Sequence, residues 1–474
     1  MRHSRSPENG NPLIAASHTD RVLCGVYYAI VLLMVWHFGL GERPLWFDEL
    51  LQFAIGAQES TLAALLLIHD TTDGINHGQT GVYLLLDYWL LEVFGANITA
   101  LRLPSILAFA FLLHASRVLL KSQNVGWIGQ FLCLAAIAGQ FDLMRLVANA
   151  RPFLPLAAAS VGVFAYYALA VEDRKRLPNR LLGYAAILGG AAIHPFFSIY
   201  WAAAFWFWYL VAAYRDQLRI GIASAMNFVN FRLSLAGFIL FFAIAFATWL
   251  PRHPSLGRNP FQYNSAASLP YEFLAGSHFQ FVWLAGFAVA AYVAMILVLW
   301  ANPKLRPASV VSETLFPLHA VVPAALVMTA LSLSFLLAVI CYASGYWIVD
   351  WQWTGSTALV PVATIWLFAE LSRALSVHSR SAAMAVSCLA VCVLLIGSLF
   401  SVQRFNAIAD LPIGPDYSQR TNQLAAIDPA AMPVPTNCLA HLETSDWIPT
   451  ANANLQLGGP VWPMFKDYYA KCAW

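Results

Sequence analysis

The chain has 474 residues, of which 60% are hydrophobic, 14% aromatic and only 11% charged, with a formal net charge of +2. Soluble domains carry about 25% charged residues, so an ordinary soluble enzyme and a disordered chain are both excluded. With a mean hydropathy of +0.63 and no clustered basic patch of the kind that marks nucleic-acid binders, the sequence reads as an all-α polytopic membrane protein with no nucleic-acid partner.

A spanning helix needs about 20 mostly apolar residues. Stretches of that kind run at 22–40, 103–120, 125–142, 152–171, 181–195, 197–214, 233–250, 281–300, 322–343, 356–372 and 382–403. They predict about eleven transmembrane helices within a domain at 22–403. The polar segment 1–21 is expected to be a cytoplasmic tail. No small-residue cleavage site follows the first apolar stretch, which therefore reads as an uncleaved helix and not a signal peptide. The first outside loop covers 41–100. Within it, 80–95 is apolar but short and carries Asp87 and Glu92. Each acid would cost about 2.5–3.5 kcal/mol at the centre of a span, so this piece is expected to lie at the interface as an amphipathic helix.

The apolar run 181–214 would be about 51 Å long as one helix, too long for one pass. It must turn, most simply at His194-Pro195. The segment 404–474, rich in Pro, Asn, Asp and Tyr, is expected to form a small extracytoplasmic domain. With this topology the cytoplasmic side holds 16 of the 26 Lys and Arg. Four of the other ten fall in the C-terminal segment, so the short loops divide 16 to 6, as the positive-inside rule requires. A twelfth span at 80–95 would invert every later loop. Of seven cysteines, Cys24, Cys133, Cys341, Cys388 and Cys392 fall in spans as apolar fillers. Cys438 and Cys472 fall outside the cytosol, where a disulfide persists, and are expected to pair.

Polar residues gather on the outward side. The loop 41–80 holds Asp48-Glu49, framed by Trp46 and Phe47, together with His69, Asp70, Asp73 and His77. The turn FDLMRLVANARPF adds Asp142, Arg145, Asn149 and Arg151. If that turn is helical, Arg145 and Asn149 share a side, and Arg151-Pro152 opens the next helix. Outward arginines run against the charge bias. An anionic ligand such as a lipid phosphate gives them a reason; snorkelling to head groups is the plain alternative. His194 and Asp350, the latter among aromatics in SGYWIVDWQWTG, complete the polar set, and loop 251–278 could cover it. The cytoplasmic loops contain no GxxxxGK[ST], GxGxxG or HExxH.

Three stretches carry a family likeness: LWFDELLQFA at 45–54, NHGQTGVYLLLDYWLLEVFGANITALRLPSIL at 76–107, and RLVANARPFLPLAAA at 145–159. In order and spacing they resemble GT-C glycosyltransferases of the dolichyl-phosphate-mannose protein mannosyltransferase and aminoarabinose transferase group. The likeness covers roughly the first 200 residues. There are departures. Gly78-Gln79 follows His77 where relatives carry prolines, Asn149 stands near a common Glu, and WQW occupies the place of a late RY. These leave the donor sugar and any metal requirement open.

The resemblance implies a GT-C-like bundle with interfacial helices in its first outside loop. It implies transfer of a sugar, with inversion, from a polyprenyl-phosphate-linked donor to an acceptor hydroxyl on a surface glycan, glycolipid or protein. The expected setting is the lipid bilayer of a bacterial inner membrane, with the N-terminus cytoplasmic and the C-terminus extracytoplasmic. Asp48 would be the base, oriented by Glu49. Arg102, Arg145 and Arg151 would hold the donor phosphate, and His77, Asn149, His194 and Asp350 would bind substrate. No cofactor is fixed; Asp48, His77 and His194 are candidate ligands should a divalent metal (Mn, Mg or Zn) be used. An O-antigen-ligase-like or polymerase-like transferase and a flippase of a lipid-linked sugar are the competing readings. The first would keep its key residues in a large late loop, and the second would place polar groups near mid-membrane.

Overall fold

In a computed structural model the chain is described at 58–70, 80–95, 98–216, 231–244, 318–343 and 354–376, with isolated positions in 25–56, 286–297 and 380–392. All regular structure among the described residues is helical. Helices α1 Thr61–Asp70 and α2 Gly81–Phe94 precede α3 Ile98–Ser122, α4 Trp127–Ala138, the short α5 Phe141–Val147 and α6 Phe153–Ala168. A single turn, α7 Val171–Arg174, leads to α8 Leu177–Tyr184. That helix runs through a π-helical turn, Ala185–Gly189, into α9 Gly190–Ile193. The remaining helices are α10 Phe197–Asp216, α11 Phe231–Ile244, α12 Leu318–Ala343 and α13 Thr354–Ser376.

Among the described residues four helices are long and apolar enough to cross a membrane: Thr99–Ser122, Phe197–Tyr214, Ala320–Leu337 and Thr354–Ser376. These match the expected spans at 103–120, 197–214, 322–343 and 356–372. Apolar helices also occupy the expected spans 125–142, 152–171 and 233–250, in shorter form. The spans at 22–40, 281–300 and 382–403 and the segment 404–474, with Cys438 and Cys472, lie outside the continuously described residues. The long apolar run does turn where its length requires. α9 stops at Ile193, His194 is extended (φ −149°, ψ 135°), and α10 begins at Phe197.

α6 is the axis of the bundle. Every residue from Phe153 to Tyr167 is buried, the mark of a helix enclosed by others, and α3, α10, α13 and the π-helical turn pack round it. Small residues set the closest approaches. A Cβ on Gly162 would meet Phe111 at 2.8 Å and Ala186 at 2.9 Å. A Cβ on Gly355 would meet the Ser160 hydroxyl at 2.6 Å and Tyr200 at 2.7 Å.

The two ends of the bundle differ in chemistry. One carries the turns after α3 and α6 and the C-terminal end of α13. There Arg174 is buried; it donates to the carbonyls of Tyr167 (2.6 Å) and Leu169 (2.9 Å), and its guanidinium lies against the rings of Tyr166 and Tyr167. Arg373 pairs with the buried Glu370 at 2.8 Å and donates to the carbonyl of Asn124 at 3.0 Å. Asn124 makes the left-handed turn (φ 58°) between α3 and α4, a conformation its short polar side chain tolerates. Lys121, Lys175, Arg176 and Arg180 fall at this same end, the one assigned to the cytoplasm by charge. The other end gathers the start of α3, the α5–α6 turn, the α9–α10 turn and the start of α13.

α1 and α2 form a hairpin with a small core of its own: Ile55, Ala64, Ile68, Leu84 and Tyr88. Val82, Leu86, Trp89 and Val93 make an exposed apolar stripe on α2 at the 3–4 residue spacing of one helix face. That is the surface an interfacial helix needs, as expected for 80–95. Glu92 is exposed beside the stripe. Asp87 is not interfacial: with Leu84, Tyr88 and Leu91 it forms the opposite, fully buried face.

Candidate functional site

The site is assembled from chain segments at the end of the bundle opposite Arg174 and Arg373. Arg102 lies in the first turns of α3, only 1% exposed. One turn on, the Ser105 hydroxyl donates to the main-chain carbonyl of Asn149 at 2.6 Å. This ties α3 to the α5–α6 turn. Asn149 is 7% exposed and Arg151 3% exposed. Pro152 caps α6 as Arg151-Pro152 was expected to do, because a residue before proline is driven out of helical geometry.

Helix α5, however, ends at Val147, with Ala148 already off helical geometry (φ −89°, ψ 26°). Arg145 and Asn149 therefore do not share a helix face; the turn needed to reach Pro152 takes Asn149 out of the helix. Arg145 sits in α5, and its side chain is outside what is described.

Phe153 links this turn to the rest of the site. The guanidinium carbon of Arg151 lies 5.3 Å from its ring centroid, a cation–π distance. The His194 ring lies 6.0 Å from the same ring, tilted by 46°. The main-chain carbonyl of Phe153 accepts from the Thr354 hydroxyl at 3.0 Å, which seats the first residue of α13. Along α13, the carbonyl of Thr357 accepts from the Gln140 side-chain amide at 3.4 Å, and Ser356 pairs with the Tyr200 hydroxyl at 3.2 Å.

His194 occupies the turn between α9 and α10, outside both helices, and is 2% exposed. Its Nδ1 accepts the backbone N–H of Phe196 at 3.1 Å, and its ring lies 5.0 Å from that of Phe196. Burial, and after it the neighbouring Arg151 cation, push its pKa down to about 3. The imidazole is thus neutral over the ordinary pH range. The α2 segment joins the site here: the Thr80 hydroxyl, at the start of α2, donates to the carbonyls of Ala192 and, at 3.3 Å, Ile193. These belong to the last turn of α9, whose carbonyls have no intrahelical partners.

Of the expected site residues, Arg102, Asn149, Arg151 and His194 are thus brought to one end of the bundle in buried positions. Asp48, Glu49, His77 and Asp350 lie outside the described residues. The chain that follows Asp48-Glu49 does reach α2: Gln52 is buried, and a Cβ on Gly56 would press into the Leu91 side chain. Among the described residues no three His, Cys, Asp or Glu converge as a metal set.

Ser105, Gln140 and Thr354 were not singled out in the sequence, because isolated polar residues at helix ends carry no pattern. Asp87 did leave a signal: it lies three residues after Leu84 and four before Leu91, on one helix face. Two buried acceptors, Oδ1 of Asn149 and Oε1 of Gln140, have no hydrogen-bond partner among the described residues. This end of the bundle thus holds two buried guanidinium groups and two buried amide oxygens. The cations suit an anion, and the amides suit hydroxyl groups.

Fold and site together define an α-helical bundle with membrane-crossing helices and a buried cationic layer at one end. No family model matches the chain, and no curated protein matches it. Among solved structures it is similar to the crystal structure of ArnT from Cupriavidus metallidurans bound to undecaprenyl phosphate. The match covers 92% of this chain and 85% of that one, with a TM-score of 0.44 and 11% sequence identity.

Proposed function

We propose that the protein is a membrane glycosyltransferase that moves a sugar from a polyprenyl-phosphate-linked donor to an acceptor hydroxyl on the extracytoplasmic face of a bacterial inner membrane. The observation that carries this reading is the placement of Arg102 and Arg151. Both are buried, and both lie at the end of the bundle opposite the basic loops. A guanidinium fork matches phosphate oxygens in a way that lysine does not.

In this reading the Asp48 carboxylate, oriented by Glu49, takes the proton from the acceptor hydroxyl. The new bond forms between that oxygen and the anomeric carbon. The bond from the anomeric carbon to the phosphate oxygen breaks, and its electron pair leaves with the lipid phosphate. Attack opposite the leaving group inverts the anomeric centre. Arg102, Arg151 and, from α5, Arg145 neutralise the departing phosphate, the kind of electrostatic contribution that usually dominates catalysis. Proton removal adds roughly 10²–10⁴ in rate. Asn149 and Gln140 accept hydrogen bonds from sugar hydroxyls, and the exposed apolar stripe of α2 rests in the outer leaflet.

The test is mass spectrometry of surface glycolipids and polysaccharides from a deletion strain. Complementation by the wild-type chain should restore a missing sugar, and neither Asp48→Asn nor Arg151→Ala should do so. Full restoration by both variants would end the reading.

A further inference from the structure

We infer that His194 acts as a fixed, neutral Nε2–H donor to a phosphate oxygen of the bound donor, a substrate-binding residue and neither a base, an acid nor a metal ligand. This rests on the proposed lipid-phosphate reading for the identity of the ligand, though not for the state of the ring. A backbone amide can only donate, so the 3.1 Å bond from Phe196 N–H requires a bare lone pair on Nδ1. A neutral imidazole carries one proton, and here it must therefore sit on Nε2. The ring cannot rotate to exchange the two nitrogens without abandoning that bond.

The surroundings hold the arrangement. The turn is closed by the bond from His194 N–H to the Gly190 carbonyl at 3.2 Å and by that from Phe197 N–H to the His194 carbonyl at 3.1 Å. Phe153 and Phe196 pack against the ring. The Arg151 cation also lies against Phe153 and opposes a second proton on the imidazole. Both groups thus present only N–H donors, a combination suited to an oxygen-rich anion.

The same hydrogen bond bears on metal binding. A metal on Nε2 would displace the proton to Nδ1, where it would collide with the amide hydrogen of Phe196. His194 therefore does not fit a divalent-metal set with Asp48 and His77.

The experiment uses the full chain in lipid nanodiscs, labelled with ¹⁵N-histidine. The His194 signals are assigned by their loss in His194→Gln. The resting protein should show a pyridine-type Nδ1 and a pyrrole-type Nε2, unchanged from pH 5 to pH 8 and on adding the diamagnetic ions Mg²⁺ or Zn²⁺. An imidazolium, a protonated Nδ1 or a metal-induced change at His194 would overturn the assignment, whatever the fate of the glycosyltransferase reading.

The ligand arm uses undecaprenyl phosphate added to the same nanodiscs. It should perturb the Nε2–H signal. Binding should weaken about tenfold in His194→Ala, the usual scale for losing a hydrogen bond to a charged group. His194→Gln, which keeps an N–H donor, should bind within about threefold of wild type on that scale. Melting temperature and monodispersity identify any variant that has merely unfolded. Equal affinity in wild type and a folded His194→Ala would overturn the donor role. Absence of binding to the wild-type chain would overturn both the ligand identity and the reading on which it rests, leaving the tautomer to be judged by the resting spectrum.

Discussion

The hydroxyl of Ser105 donates to the main-chain carbonyl of Asn149 at 2.6 Å. The bond spans 44 residues of chain and fixes the helix that carries Arg102 against the turn that carries Arg151. Both cations are buried, so their separation depends on ties of this kind and not on solvent-exposed pairing.

Ser105→Ala should therefore loosen that relationship. It strands a buried carbonyl, at a cost of about 1–3 kcal/mol. The melting temperature in detergent should fall by several degrees, and undecaprenyl phosphate should bind more weakly than to wild type. An alanine variant identical to wild type in both measurements would show that the hydroxyl does not position the turn.

Gly355 should be intolerant of any side chain. Its missing Cβ makes room for the Ser160 hydroxyl at 2.6 Å and Tyr200 at 2.7 Å, just where Thr354 is bonded to Phe153. Gly355→Ala is expected to destabilise by about 1–3 kcal/mol, as overpacking of a tight contact does. Shortening the neighbour as well, in Gly355→Ala with Ser160→Gly, should recover part of the loss, while Ser160→Ala should not, because the Ser160 Cβ itself would lie at 2.9 Å. Thermal melting of the three variants decides this.

Acid should destabilise the fold through His194. The unfolded chain takes up a proton near the ordinary histidine value of 6.5, whereas the folded ring resists it down to about 3. The unfolded state thus binds more protons in that window, and stability falls as pH drops from 6.5 toward 3. At pH 5 the loss from this residue is about 2 kcal/mol. His194→Gln should narrow the difference in melting temperature between pH 7.5 and pH 5. An equal difference in both proteins would place the acid sensitivity elsewhere.

Much of the site was legible as residue types in places, and little of it as geometry. Arg102, Asn149, Arg151 and His194 stand out in the sequence because polar residues are rare in so apolar a chain, and all four are buried at one end. The shared face expected of Arg145 and Asn149 was not found, since the path to Pro152 ends α5 at Val147. The segment 80–95 was read as an amphipathic helix because of Asp87 and Glu92; the structure places Asp87 on the buried face of that helix.

By itself the sequence determined the helical, membrane-crossing character of the chain, the turn at His194-Pro195 and the polarity of its two ends. These follow from local apolar length and from the charge of short loops, and neither depends on which helix packs on which. Only the tertiary structure decided that Phe153 joins Arg151 to His194, that Thr354 closes onto Phe153 across 201 residues of chain, and which nitrogen of His194 accepts a hydrogen bond. Those relations arise from the burial of polar groups that must find partners once water is gone, and the partners lie far away along the chain.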